Sequence, residues 1–334
     1  MILTIALLLG SAIVIYLSCE YFVNSIEWVG RRLGVAQSAV GTVLAAFGTA
    51  LPETVVTFVA VVFGRDAAHK DIGVGAALGG PLALSTIAYA VVGLMFILNR
   101  KKIGGILLSA ADGARLSRDQ AWFMGIFVLK VSLGLFAFSF KPWLGLLFLL
   151  AYGAYIWGEI RKEDSADVEI HDLDPLKFRP NDPQPGLGWA ALQTIVALVV
   201  IFLSSQLFVA QLEAMAPWLG ISPHLVALLL SPIATELPEI LNAVIWVRQG
   251  KQTLALSNIS GAMMIQATIP TALVLIFTPW MLDTALIWAG TITMVSIAGL
   301  YVLLRKQVLT GGRLAMFGGL YLIFAAGLAI IGVR

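Results

Sequence analysis

The chain has 334 residues, 59% of them hydrophobic and only 12% charged, with a formal net charge of +2. Soluble domains carry about 25% charged residues, so this composition excludes an ordinary soluble globule and fits a polytopic membrane protein. The small net charge, the lack of a basic stripe and the single cysteine, Cys19, exclude nucleic acid as a partner, an intrachain disulfide and a cysteine-built metal centre.

A bilayer core is crossed by about 20 apolar residues. By that measure the chain predicts ten spans, near 2–29, 36–63, 72–98, 120–140, 143–160, 188–214, 222–247, 253–278, 280–304 and 311–332. Leu17-Ser18-Cys19 bears a faint likeness to a lipoprotein cleavage site, but no Lys or Arg precedes it. The basic start of a signal peptide is therefore missing, and the first segment reads as a span. Lys130 falls inside the fourth span. Trp143, Trp218 and Trp280 lie near span ends, as an interfacial aromatic belt would place them.

Lys and Arg orient the chain. Sixteen of them fall in the odd-numbered loops, against four (Arg65, Lys70, Lys141 and Arg334) in the even-numbered loops and the C-terminus. Positive charge favours the cytoplasm, so both termini are expected outside, in a multi-pass protein of the inner (plasma) membrane. The hydrophilic stretch 161–186 carries Glu163, Asp164, Asp167, Glu169, Asp172 and Asp174, then Pro180, Pro183 and Pro185. Its composition is that of a solvated cytoplasmic linker. It divides the chain into a first half, 1–160, and a second, 187–334.

The halves are related. With an offset of 186, residues 20–65 align on 206–251 without a gap. Glu27 meets Glu213, Leu33-Gly34 meets Leu219-Gly220, and Thr49, Leu51, Pro52 and Glu53 meet Thr235, Leu237, Pro238 and Glu239. Five spans per half is odd, so the second half enters the membrane from the opposite side. The expected fold is an all-α polytopic membrane protein, ten transmembrane helices in two inverted five-helix repeats, an arrangement of secondary transporters. Each proline is expected to break its helix and free carbonyls one turn earlier, leaving a glutamate that faces its symmetry mate.

Two carboxylates brought together in low dielectric repel, and a divalent cation resolves the conflict. Glu53 and Glu239 are the central candidate ligands. Thr49 and Thr235 stand one turn earlier on the same faces and offer hydroxyl or carbonyl oxygen. Glu236 is a third acid with no acidic counterpart at Ala50, and three roles are open to it: ligand, proton carrier, or acid paired elsewhere. Ser257 and Asn258 on the eighth span are candidates to close the cage, Asn258 alternatively as a helix–helix hydrogen bond. Glu20 reads as an interfacial or supporting acid. His69, His171 and His224 are scattered and form no metal motif, and no nucleophile–base pair is placed plausibly, so an enzyme is not expected.

These motifs resemble those of the calcium:cation antiporter superfamily, most closely the bacterial sodium/calcium exchanger-like proteins. That family's regions read roughly Gly-Thr-Ser-Leu-Pro-Glu, then Gly-Asn-x-x-Gly-Ser-Asn on the next helix. Here they read Gly48-Thr49-Ala50-Leu51-Pro52-Glu53 with Gly75-Ala76-Ala77-Leu78-Gly79-Gly80-Pro81, and Ala234-Thr235-Glu236-Leu237-Pro238-Glu239 with Ser257-Asn258-Ile259-Ser260-Gly261-Ala262-Met263. The resemblance implies midplane ion sites on the second, third, seventh and eighth helices, across which the first and sixth slide. It implies ligands at Thr49, Glu53, Thr235, Glu239 and Asn258, and sodium-binding carbonyls at Ala45 and Ser231. Ala50, Glu236, Ala76, Gly80, Pro81, Ala262 and Met263 depart from the family pattern and remove oxygens that it uses.

The expected function is antiport of a divalent cation, foremost Ca2+, against Na+ by alternating access at that carboxylate site, with no cofactor and with inorganic cations and the lipid bilayer as partners. The alternatives are proton-coupled exchange of Ca2+, Mg2+ or Mn2+, and a passive cation channel.

Overall fold

The computed structural model describes residues 2–34, 39–63, 67–99, 108–160, 173–215, 218, 229 and 231–331, apart from some side chains that include Leu51, Pro52, Glu53 and Ser231. Every regular element among them is helical. The helices fall into consecutive runs: α1 (Ile2–Leu33), α2 (40–63), α3 (67–98), α4 (Ala110–Leu133), α5 (Leu144–Ile160), α6 (Leu187–Met215), α7 (Ser231–Thr235 and Leu237–Arg248), α8 (Gln252–Phe277), α9 (Thr284–Arg305) and α10 (Gly311–Ala315 and Gly318–Ile331). Six of them (α1, α3, α6, α8, α9 and α10) are long and apolar enough to cross a membrane over their described residues. Large apolar side chains such as Leu150, Leu322 and Ile330 point outward, more than two-thirds exposed. That is the surface a lipid-solvated protein needs.

The helix starts are chemically marked. Ser109 Oγ accepts the Asp112 amide at 3.1 Å, Asp283 Oδ1 the Leu286 amide at 2.8 Å, and Thr310 Oγ1 the Arg313 amide at 3.2 Å. Each bond satisfies a donor that the first helical turn leaves open. The Ser109 cap starts α4 ten residues before the hydropathy reading placed the fourth span. The charges that hid this start are inside the protein: Arg115 is buried and its guanidinium lies 2.6 Å from Glu159 on α5. Hydropathy counts such a residue as water-facing, whereas a paired charge packs within a helical bundle.

The Pro-bearing motifs differ from each other. The sequence predicted a break at both prolines. The first segment runs on as continuous helix through Ala46–Phe58, with wider π-turns at Val40–Ala45 and Val59–Phe63. The second does break: Ser231–Thr235 ends, Glu236 sits at φ −86°, ψ 3°, and a new helix starts with Pro238 in its first turn. A proline there removes an N–H that has no acceptor anyway.

The second half of the central hydrophilic stretch also departs from expectation. Residues 173–186 are packed against α1 and α6. Asn24 Nδ2 donates to the carbonyls of Asp174 and Pro175, each at 3.2 Å, and Arg32 donates to those of Gln184 and Pro185. Leu176 is sealed beneath Trp28 and Ala190. The acids at 163–172 lie outside the described residues.

At the centre is α8, buried along almost its whole length. Helices reach it closely because the contact positions are small. A Cβ added at Gly261 would stand 2.2 Å from the Thr42 carbonyl oxygen of α2, and one at Gly41 3.0 Å from the Ser257 Cβ. On the flank, α1 and α6 lie along each other, joined by Thr194 Oγ1 to Ser25 Oγ at 2.9 Å and by Gln193 Nε2 to the Tyr21 carbonyl at 2.8 Å.

Candidate cation site

Four helices meet at the candidate site. Gly261 and Gly41 join α2 to α8. A Cβ at Gly79 would meet the Pro232 ring at 2.7 Å, so α3 lies directly on the first part of α7. Asn258 Nδ2 donates to the Glu239 carbonyl at 3.3 Å, joining α8 to the second part of α7.

The oxygens gather along these contacts. Glu236, Glu239, Ser257 and Asn258 are each no more than 1% exposed, and Thr49 is 2% exposed. The Thr49 hydroxyl donates to the Ala45 carbonyl at 3.1 Å, and the Thr235 hydroxyl to the Pro232 carbonyl at 3.2 Å. With the protons spent on backbone, the lone pairs of both hydroxyls remain as acceptors. Asn258 Oδ1 and Ser257 Oγ are buried and make no hydrogen bond among the described residues. Orphan oxygens of this kind are costly without a partner. Asn242 is a further case: both side-chain polar atoms are buried and have no hydrogen-bond partner among the described residues, one turn beyond Glu239.

The other expected residues are placed as follows. Ala45 closes the π-turn of α2 and is fully buried. Ser231 starts α7, but its side chain and that of Glu53 lie outside the described residues, as do the side chain of His69 and all of His171 and His224. Glu20 is 3.3 Å from Lys177 with both side chains about one-third exposed. Trp143 and Trp218 are exposed, whereas Trp280 is fully buried, which removes it from the interfacial belt. Lys141, counted among the loop charges, is buried and donates to the carbonyls of Phe136, Pro279 and Trp280.

Sequence reasoning missed Gln266. Its Nε2 donates to Glu236 Oε1 at 2.6 Å, and the reason lies on α3. A Cβ at Gly80 would stand 2.4 Å from Gln266 Oε1 and 2.8 Å from Glu236 Oε1. Gly80 therefore leaves the space that the amide and the acid fill together. The available signal was spacing: Gln266 stands eight residues after Asn258 on one face of α8. We expect Gly80→Ala to push Gln266 aside and strip this donor from Glu236, costing about 1–3 kcal/mol. Gln266→Ala should cost a similar amount, and the double variant little more than either alone. Thermal unfolding in detergent reads all three, and strictly additive losses would contradict the shared contact.

A helical membrane protein in which a broken helix and glycine-apposed neighbours bury acids and amides has the make-up of an ion carrier. The comparisons narrow this. The chain belongs to the sodium/calcium exchanger protein family, whose pattern matches residues 3–160 and 189–333. It is 26% identical to a putative antiporter, CaxA, of Alkalimonas amylolytica over 93% of this chain and 91% of that protein. It is 25% identical to the inner membrane protein YrbG of Escherichia coli, covering 85% and 82% of the two chains. Its fold matches a structure of the sodium-calcium exchanger NCX_Mj with a TM-score of 0.75, at 19% identity and over 98% and 99% of the two chains.

Proposed function

We propose that this protein is a secondary antiporter that moves a divalent cation, foremost Ca2+, against Na+ by alternating access in the inner membrane. One observation supports the reading: Glu236, Glu239, Ser257, Asn258 and Thr49 are all buried on α2, α7 and α8, which pack on one another through Gly41, Gly261 and the Asn258–Glu239 contact. Hard cations take six to eight oxygens. Glu239 and Glu53 supply the charge, Thr49, Thr235 and Asn258 neutral oxygens, and the carbonyls of Ala45 and Ser231 the Na+ contacts. The halves 1–160 and 187–334 are inverted five-helix repeats, both termini lie outside, and the paired α1 and α6 slide across the block. The match to an exchanger fold over 98% of this chain and to a putative antiporter over 93% supports this.

A second reading has its own support. Glu236 is a third acid, fully buried and held by Gln266. Three acids around one divalent ion leave a negative charge over, which a proton balances. Proton-coupled exchange of Ca2+, Mg2+ or Mn2+ follows if that proton is released on each cycle.

Ca2+ flux into proteoliposomes under an imposed Na+ gradient, compared with an imposed pH gradient, decides between them. Mg2+ and Mn2+ competition reports selectivity. Uptake that needs neither gradient and no trans ion would leave a channel and sink both readings. We expect Glu236→Gln to alter the Na+ or pH dependence of flux while the folded protein survives. An unchanged coupling profile would make Glu236 a structural acid.

A further inference from the structure

Lys130 has no part in that reading, yet its ammonium is fully enclosed by the fold. It sits in the last turn of α4, fully buried. Among the described residues it forms no ion pair. Its ammonium donates instead to two carbonyls, Ala77 of α3 at 2.5 Å and Gln266 of α8 at 3.3 Å.

Those two carbonyls share a cause. In a helix the amide of residue i donates to the carbonyl of residue i−4. Pro81 lies inside α3 and Pro270 inside α8, and proline has no amide hydrogen to give. The carbonyls deprived by these prolines are those of Ala77 and Gln266. Aromatic faces complete the enclosure: the ammonium lies 5.3 Å from the Phe127 ring centre and 5.8 Å from that of Trp280, within cation–π range. The Trp280 ring is itself fixed by its Nε1, which donates to the Lys130 carbonyl at 2.9 Å.

We infer that Lys130 is a tethered monovalent cation: its ammonium fills a carbonyl-and-aromatic site that an alkali or ammonium ion would otherwise occupy. Two proline-freed carbonyls from different helices, beside two ring faces, form a receptor for a weakly hydrated +1 ion. The chain supplies that ion covalently. The site adjoins the acids, since Gln266 donates from its side-chain amide to Glu236 and accepts from Lys130 at its backbone oxygen. A resident positive charge is thereby placed behind Glu236 without drawing an ion from solution. The inference concerns a site apart from Glu239 and holds whichever ion is exchanged.

The test is made on purified protein in the Glu239→Gln background, so that its outcome does not depend on transport. Lys130→Ala empties the site. Its thermal midpoint is measured in choline chloride and in KCl, NH4Cl or NaCl at equal ionic strength. We expect at least one of the small cations to raise the midpoint of the Lys130→Ala protein saturably, by about 3 °C at concentrations well above its dissociation constant. The parent carrying Lys130 should lack that increment. A folded variant that responds to none of the three cations overturns the inference. If Lys130→Ala and Lys130→Met both fail to fold, Pro81→Ala and Pro270→Ala are added to Lys130→Met to return amide donors to both carbonyls. Recovery of a monodisperse protein supports the inference, and continued failure overturns it.

Discussion

Replacing Glu239 with Gln should abolish divalent-cation exchange in proteoliposomes while leaving a folded, monodisperse protein. The amide keeps the shape of the carboxyl group, so the packing of α7 on α8 is undisturbed. What goes is a full negative charge in a fully enclosed site, where Coulomb interactions are several times stronger than in water. Glu53 keeps its charge, but with only the neutral oxygens of Thr49, Thr235 and Asn258 beside it the site no longer compensates for the desolvation of a divalent ion. A net loss of even about 3 kcal/mol lowers affinity more than a hundredfold. Glu53→Gln is the matching variant from the first half and should behave alike. Glu20→Gln is the control: its pair with Lys177 is part-exposed, and such pairs contribute about 0–1 kcal/mol. Ca2+ uptake at wild-type rates in both Glu239→Gln and Glu53→Gln would remove the proposed site.

The second large effect is steric. Gly261→Ala should separate α2 from α8 and destabilise the protein by about 3 kcal/mol or more. The added methyl would lie 2.2 Å from the Thr42 carbonyl oxygen and 2.7 Å from its Cα. Both are backbone atoms on the π-turn that leads into Thr49, so no side-chain rotation relieves the clash. The helices must move apart, and the oxygens of α2 then leave those of α8. We expect a thermal midpoint lower by about 5 °C or more, together with loss of flux. Gly75→Ala is the contrast, because nothing among the described residues stands within 4 Å of its Cβ position. It should leave both readouts unchanged. A Gly261→Ala protein with wild-type stability would show that α2 and α8 do not touch in the working molecule.

Much of this was legible before any coordinates. The all-helical, membrane-embedded class follows from composition. The two Thr-x-Leu-Pro-Glu peptides drew attention to the acids of α7, which lie buried, because a glutamate beside a proline in an apolar run is costly. Where the reading failed, partners distant in sequence decided. Arg115 was assigned to a loop because its partner, Glu159, lies 44 residues away. Trp280 was assigned to the lipid interface because its acceptor is the carbonyl of Lys130. Two identical Leu-Pro-Glu peptides predicted two breaks, but the first is carried through by unbroken helix and the second restarts at Glu236.

By itself, then, the sequence determined which residue types had to be buried and in what periodic order, since transfer of apolar groups and isolated charges out of water is a property of each residue. Only the tertiary structure decided which buried polar groups would satisfy one another. The vacancy at Gly80 becomes room for Gln266 and Glu236, and Pro81 and Pro270 become a pair of acceptors for Lys130, only when α3, α4, α7 and α8 are brought side by side. Hydrogen bonds act over about 3 Å, and no spacing along a chain encodes that distance between helices.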